Sequence, residues 1–322
     1  MQLYTNLIKN KIIIFLLLLN ISYASDIKPI SSFKSVGFIS DFVINNNTLY
    51  VGNDMGTVDI FDIKTKKIIN QILLPPLISG KNKIIPADVL SVDFIDNKLL
   101  ILSVGKDSYR NVWIYEDHIL KQIINEDKKM TIKEARFVNS EQIFFGTLDS
   151  DVMLYDIKEN YNLYDTHISD SAMGDLSLSM DKKTMVLADE GGAVTLVDVK
   201  SSEVKKIYMS QNVDNIFKVA YANEVIITAG QDRRVGVYAK GIKPYYIKTN
   251  FLVFCVGISP SGNIAAYSNG EEADLILFNT KTKNKVAKLI GHNGVVNKIL
   301  FLNEREIYSS DRTDTLLYWR FD

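Results

Sequence analysis

Seven stretches of this chain repeat one pattern of apolar and polar positions. Each has an apolar strand, a turn carrying small or acidic residues, a second apolar strand, and usually a polar or acidic residue at its end. They are Leu49–Asp62 (LYVGNDMGTVDIFD), Leu99–Glu116, Ile143–Asp156 (IFFGTLDSDVMLYD), Met185–Asp198, Val225–Ala239, Ile264–Asn279 and Ile307–Arg320. Their end positions are separated by 54, 40, 42, 41, 40 and 41 residues. Between them, Val89–Phe94 (VLSVDF) and Asp175–Met180 (DLSLSM) alternate, so successive side chains face opposite sides of a strand. Asp, Asn, Gly and Pro separate the runs, as in Ser259–Asn263, and supply turn chemistry. No stretch shows a helical period. A repeat of roughly 40 to 45 residues carrying four strands predicts a β-propeller blade.

Each unit reads as four strands, a to d from the ring axis outward. In the first unit they are expected near Ile39–Ile44, Leu49–Gly52, Val58–Ile63 and Ile68–Leu73. The last unit runs out of chain just after its strand c, while residues Ile27–Phe38 are left over at the other end. Pairing that N-terminal strand with the last blade would close the ring and protect its edges. The expected fold is therefore all-β: a seven-bladed propeller over residues 25–322, its last blade closed by an N-terminal strand. The 54-residue spacing holds one insertion, Leu74–Asp88 (LPPLISGKNKIIPAD), between strand d of blade 1 and strand a of blade 2. Long loops on a rigid scaffold often carry function.

Residues 1–24 follow a different rule. Lys9 and Lys11 precede the apolar run Ile12–Leu19, and Ser22-Tyr23-Ala24 follows it. That order reads as a secretory signal peptide cleaved after Ala24. The run is far shorter than the roughly 20 residues that span a bilayer. Export to the periplasm of a Gram-negative bacterium is the expectation, with no stable membrane span. The whole chain has a formal net charge of -1, which argues against nucleic acid as a partner. Its one cysteine, Cys255, can form neither an internal disulfide nor a cysteine-based zinc site, and is expected to be buried as a small hydrophobe.

The last unit carries more. Gly291-His292, then Ser309-Ser310-Asp311, then Tyr318-Trp319 together resemble a WD40 repeat. The resemblance implies a hydrogen-bonded tetrad of His292, Ser309, Asp311 and Trp319 that ties the blade together, with Asp314 as the alternative acid. The role implied is structural. The other units keep the strand–turn–strand skeleton, with Trp113 the one other Trp. A secreted seven-unit chain with one good repeat at its C-terminus is also similar to accessory proteins of the NapL type, encoded beside periplasmic nitrate reductase. That resemblance implies a non-catalytic scaffold supporting assembly of, or electron supply to, the reductase. It carries no binding residues over and no cofactor.

Catalytic sets are missing from the sequence. There is no H-x-x-H or H-E-x-x-H, no C-x-x-C-H and no G-x-S-x-G. Two Trp and one Cys speak against a quinone-cofactor propeller. Asp149-Ser150-Asp151 reads as solvated turn residues, since the rest of a calcium loop is lacking. The turns between strands b and c do carry charge. Asp54, Asp149, Asp151, Asp189, Glu190, Glu271 and Glu272 are acidic, whereas Lys106, Arg110, Arg233, Arg234 and Arg312 are basic. Lys81 and Lys83 of the insertion should lie beside Lys106 and Arg110, forming a basic patch that docks an exported protein partner. The alternative functions are a periplasmic enzyme or small-ligand binder using the central channel, and an outer-membrane assembly factor.

Overall fold

The structure, a computed structural model, describes residues 26–79, 83–271 and 273–321. The expected signal peptide, Lys81 and Glu272 lie outside the described residues. Two short strands come first, β1 (Asp26–Ile27) and β2 (Ser31–Lys34). Blade 1 is β3 (Ile39–Asn45), β4 (Thr48–Asn53), β5 (Thr57–Asp62) and β6 (Lys67–Leu73), within a residue or so of the boundaries the pattern predicts. The insertion contributes its own hairpin, β7 (Leu77–Ser79) and β8 (Lys83–Ile85). Blade 2 is β9 (Val89–Ile95), β10 (Lys98–Val104), β11 (Arg110–Glu116) and β12 (Ile119–Ile124). Blade 3 is β13 (Ile132–Asn139), β14 (Gln142–Thr147), β15 (Asp151–Asp156) and β16 (Tyr161–His167). Blade 4 is β17 (Met173–Leu178), β18 (Thr184–Asp189), β19 (Val194–Asp198) and β20 (Val204–Tyr208). Blade 5 is β21 (Ile216–Ala222), β22 (Val225–Gly230), β23 (Arg234–Ala239) and β24 (Tyr245–Lys248). Blade 6 is β25 (Val256–Ile258), β26 (Ile264–Asn269), β27 (Asp274–Asn279) and β28 (Lys285–Leu289). Blade 7 supplies β29 (Val296–Phe301), β30 (Glu306–Asp311) and β31 (Thr315–Arg320).

The inner strands β3, β9, β13, β17, β21, β25 and β29 touch in that order, and β29 returns to β3. The fold is a closed, seven-bladed, WD40-like β-propeller. Closure is as the sequence pattern predicts. β2 pairs antiparallel with β31, Ser31 opposite Tyr318 and Lys34 opposite Thr315, and becomes the outer strand of blade 7. The pattern did not predict β1. Asp26 and Ile27 pair parallel to Lys288 and Leu289, adding a fifth strand to blade 6. The N-terminal segment thus fastens two blades.

The core is divided among the blade interfaces, with one apolar cluster in each. The cluster between blades 7 and 1 joins Phe33 of β2 to Phe42, Leu49, Phe61, Tyr308 and Leu316. This division explains why strands b and c are almost continuously apolar. Both of their faces pack against a neighbouring blade, so period-two alternation survives only in the inner and outer strands.

Candidate functional site

The channel along the ring axis was not legible as a site in the sequence. Each inner strand except that of blade 6 has a register irregularity against strand b near its start. At equivalent positions of the seven inner strands stand Asp41, Ser91, Glu134, Asp175, Lys218, Cys255 and Lys298, and all but Ser91 line the channel. Five of these seven are charged. With Arg136 they form one chain of ion pairs across the channel. Lys298 Nζ lies 2.5 Å from Asp41, and Asp41 lies 3.4 Å from Arg136 Nη2. Arg136 lies 2.8 Å from Glu134, Glu134 lies 3.7 Å from Lys218, and Lys218 lies 3.0 Å from Asp175. The carboxylates also cross-brace neighbouring inner strands. Asp41 accepts Val92 N–H at 2.9 Å, Asp93 accepts Phe137 N–H at 2.8 Å, and Asp175 accepts Val219 N–H at 2.9 Å.

The electrostatics follow from burial. Desolvation would raise the Asp41 carboxyl, but Lys298 and Arg136 outweigh it and hold it below its ordinary value. For Glu134, burial wins over Arg136 and Lys218, and its pKa is pushed up. Burial pushes the Cys255 thiol up to about 12, against the opposing pull of Lys218, so it is a protonated thiol at neutral pH. It is buried, as the apolar run around it predicts.

On the blade 7 tetrad, the structure brings His292, Ser309, Asp311 and Trp319 together. Trp319 Nε1 donates to Ser309 Oγ at 2.8 Å. His292 reaches Ser309 Oγ through Nε2 at 2.8 Å and Asp311 Oδ2 through Nδ1 at 3.2 Å. Asn293 and Gly294 each donate a backbone N–H to Asp311 at 3.0 Å. Burial would raise the Asp311 carboxyl, yet the bonds from His292, Thr313 and Asn293 bring it down to about 2. Asp314, the alternative acid, instead meets Lys34 at 3.4 Å on the surface.

Two echoes of this tetrad escaped the sequence reading. In blade 2, Trp113 Nε1 donates to Ser103 Oγ at 3.0 Å, in the same register as Trp319 and Ser309. In blade 5, Thr228 donates to Asn212 at 2.5 Å and Asn212 donates to Asp232 at 3.1 Å. Val213 N–H meets Asp232 at 2.9 Å, and the buried Tyr238 holds the register of the Trp. Asn, Thr and Tyr replace His, Ser and Trp there, which hides the motif from a search for GH and WD.

The loops before strand a and the turns between strands b and c open on one face of the ring, called here the loop face. Packed contacts place β7 against the turn Lys106–Ser108. Lys83 and Lys106 are exposed there. Arg110 turns away, donating through Nε to the Ile132 carbonyl at 3.0 Å and through Nη1 to the Ser108 and Tyr109 carbonyls. Several of the acidic turn residues are committed to partners in adjoining loops and strands. Asp54 accepts Phe38 N–H at 2.8 Å, Asp189 accepts Ser169 Oγ–H at 2.7 Å, and Asp151 pairs with His167 at 2.7 Å.

The same face carries exposed apolar residues that sequence reasoning passed over. Val36, Phe38, Met55, Ile78 and Ile84 are between 50% and 70% exposed. They are linked through the backbone. Val36 and Phe38 flank Gly37, where an added Cβ would come within 2.6 Å of Met55. Gly56, next along, backs onto Pro86 and Ala87 at the foot of the hairpin that bears Ile78 and Ile84. Gly56 has φ +70°, and an added Cβ would stand 3.0 Å from Ala87 N, so this close seam requires glycine. Isolated exposed apolar residues are ordinary, but a connected arc marks an interaction surface.

Among the described residues, no group of three or more His, Cys, Asp or Glu is placed to hold a metal ion. Among them too, no helix is long and apolar enough to cross a membrane.

No known family profile matches the sequence, and no curated protein matches it. The fold does match solved structures. The chain is similar to the β-propeller domain of Cps50 (Swd1) from Myceliophteria thermophila, with a TM-score of 0.70 and 15% identity. The match covers 91% of this chain and 99% of that one. At that identity the likeness defines a class, a WD40-like seven-bladed propeller, and extends to the fold alone.

Proposed function

We propose that the protein is a non-catalytic interaction scaffold that docks a protein partner on its loop face. The observation that carries this reading is the connected apolar arc of Val36, Phe38, Met55 and the β7–β8 hairpin. The committed state of the channel carboxylates, each on a cation or a backbone N–H, supports the non-catalytic part. Lys83 and Lys106 beside the arc supply the charge that steers association. Lys81, from the same expected patch, is included in this reading on its sequence position. The finer reading is that the chain is exported to the periplasm and that its partner is a subunit of nitrate reductase. That rests on residues 1–24 and on the resemblance to accessory proteins of the NapL type.

Affinity capture with the tagged protein tests the docking face. Phe38→Asp with Met55→Lys should abolish capture of a partner that the wild type retains. Met180→Lys and Leu302→Lys, in turns between strands a and b on the opposite face, should leave capture intact. Equal loss from both faces, or loss from the opposite face alone, would remove the arc from the account.

A further inference from the structure

The channel mouth on the loop face holds a cavity of about 300 Å³ that the ion-pair chain does not fill. Its wall is made by Lys133, Asn215, Phe217, Phe254 and Arg312, and Lys218 lies between this cavity and the channel proper. None of these residues belongs to the apolar arc on blade 1 and the hairpin.

Within the described residues, two polar groups of the wall lack partners and a third lacks an ion pair. Lys133 is half-buried, and its ammonium donates to the Met173 carbonyl at 2.5 Å. It has no ion pair, because the carboxylates nearest in charge, Asp175 and Glu134, are already held by Lys218 and Arg136. Burial pushes the pKa of Lys133 down, with Asp175, Glu134 and Glu190 opposing and Lys218 adding to the shift. The Arg312 guanidinium is exposed and makes neither a hydrogen bond nor an ion pair. The side-chain oxygen of Asn215 is buried with no hydrogen-bond partner. Beside them, Phe217 and Phe254 stack with centroids 5.4 Å apart and planes 20° from parallel.

Each feature asks for a complementary group. A partly desolvated cation without a counter-ion favours an anion. A buried amide oxygen calls for a donor N–H. A half-exposed aromatic pair takes an apolar or planar body. One small ligand carries all three groups: a hydrophobic amino acid with a free carboxylate and an acylated nitrogen. We propose that the channel mouth binds the N-acyl hydrophobic amino acid unit. Its carboxylate goes to Lys133 and Arg312, its amide N–H to Asn215, and its side chain to Phe217 and Phe254. The same unit occurs as a free N-acyl amino acid and as the C-terminal residue of a protein, and a cavity of this volume suits a single residue.

Calorimetric titration of the purified protein with N-acetylphenylalanine tests the site, with N-acetylphenylalanine amide as the uncharged control. Saturable binding of the acid at millimolar concentration is expected, at least about tenfold tighter than the amide. Lys133→Met and Arg312→Gln should each weaken the acid about tenfold, the worth of one charge-assisted hydrogen bond. They should leave amide binding unchanged. Arg312 is exposed, so its variant tests the site even if Lys133→Met does not fold. A tripeptide ending in Phe separates the sources. Tighter binding than the acetylated residue assigns the site to protein C-termini, and equal or weaker binding assigns it to the free acid. Absence of saturable binding, equal binding of acid and amide, or an Arg312→Gln protein that binds like the wild type would overturn the proposal.

Discussion

Replacing Phe33 by alanine should cost the ring more than any other change on the N-terminal segment. Phe33 is the one buried side chain of β2, 1% exposed. Its ring meets Phe61 of blade 1 edge-on at 5.7 Å and Tyr308 of blade 7 at 6.2 Å. It therefore seals the interface where the two chain ends meet. A Phe-to-Ala change in a packed core typically costs about 3–5 kcal/mol, and lost aromatic pairing falls within that range. An expected loss of about 4 kcal/mol lowers the melting temperature by about 8 °C, at roughly 2 °C per kcal/mol for a chain this large. Lys34→Ala on the same strand is the control. Lys34 is exposed and makes one surface ion pair, with Asp314 at 3.4 Å, which is worth well under about 1 kcal/mol. Urea and thermal unfolding of the two variants, followed by circular dichroism, should separate them clearly. Equal stabilities for Phe33→Ala and Lys34→Ala would refute closure through β2.

Other outcomes follow from the same geometry. Asp311→Asn should destabilise at pH 7 by about 2 kcal/mol, the worth of lowering its carboxyl from 3.8 to about 2. Because the folded value is depressed, that stabilisation is fully present above about pH 4 and lost as pH falls through about 2. Urea midpoints across that window should therefore slope less in the variant. Arg136→Met should cost about 3 kcal/mol, since it strips a cation from two buried carboxylates, whereas adding Glu134→Met should restore part of the loss. A double-mutant cycle with no coupling would contradict the ion-pair chain. Mass spectrometry of the exported protein should find its N-terminus at Ser25, and an intact Met1 end would contradict the signal peptide.

What could be read in advance divides along physical lines. Repeat spacing set blade number, and the missing outer strand set closure, because both depend on pattern rather than on particular contacts. The tetrad of blade 7 was legible because His292 and Trp319 are rare residue types in fixed places. The channel was not. Asp41, Glu134, Asp175, Lys218 and Lys298 sit in separate strands up to 257 residues apart, and they meet only when the ring closes. The sign of the signal was present, since a charge stands at the same point of strand a in five of the seven blades. Arg110 shows the reverse error. Its place in a turn implied an exposed charge, yet its long side chain bonds the Ile132 carbonyl of the neighbouring blade and two carbonyls of its own turn. The apolar arc was hidden because Val36 and Phe38 read as strand residues awaiting burial.

The loop face as the working surface is tested most directly by hydrogen–deuterium exchange of the protein with and without its captured partner. The account predicts protection in residues 35–38 and 54–56 and in the hairpin from Leu77 to Ile85. The turns between strands a and b, such as residues 179–183 and 302–305, should exchange unchanged. Protection confined to those turns or to the outer strands of the blades would contradict it.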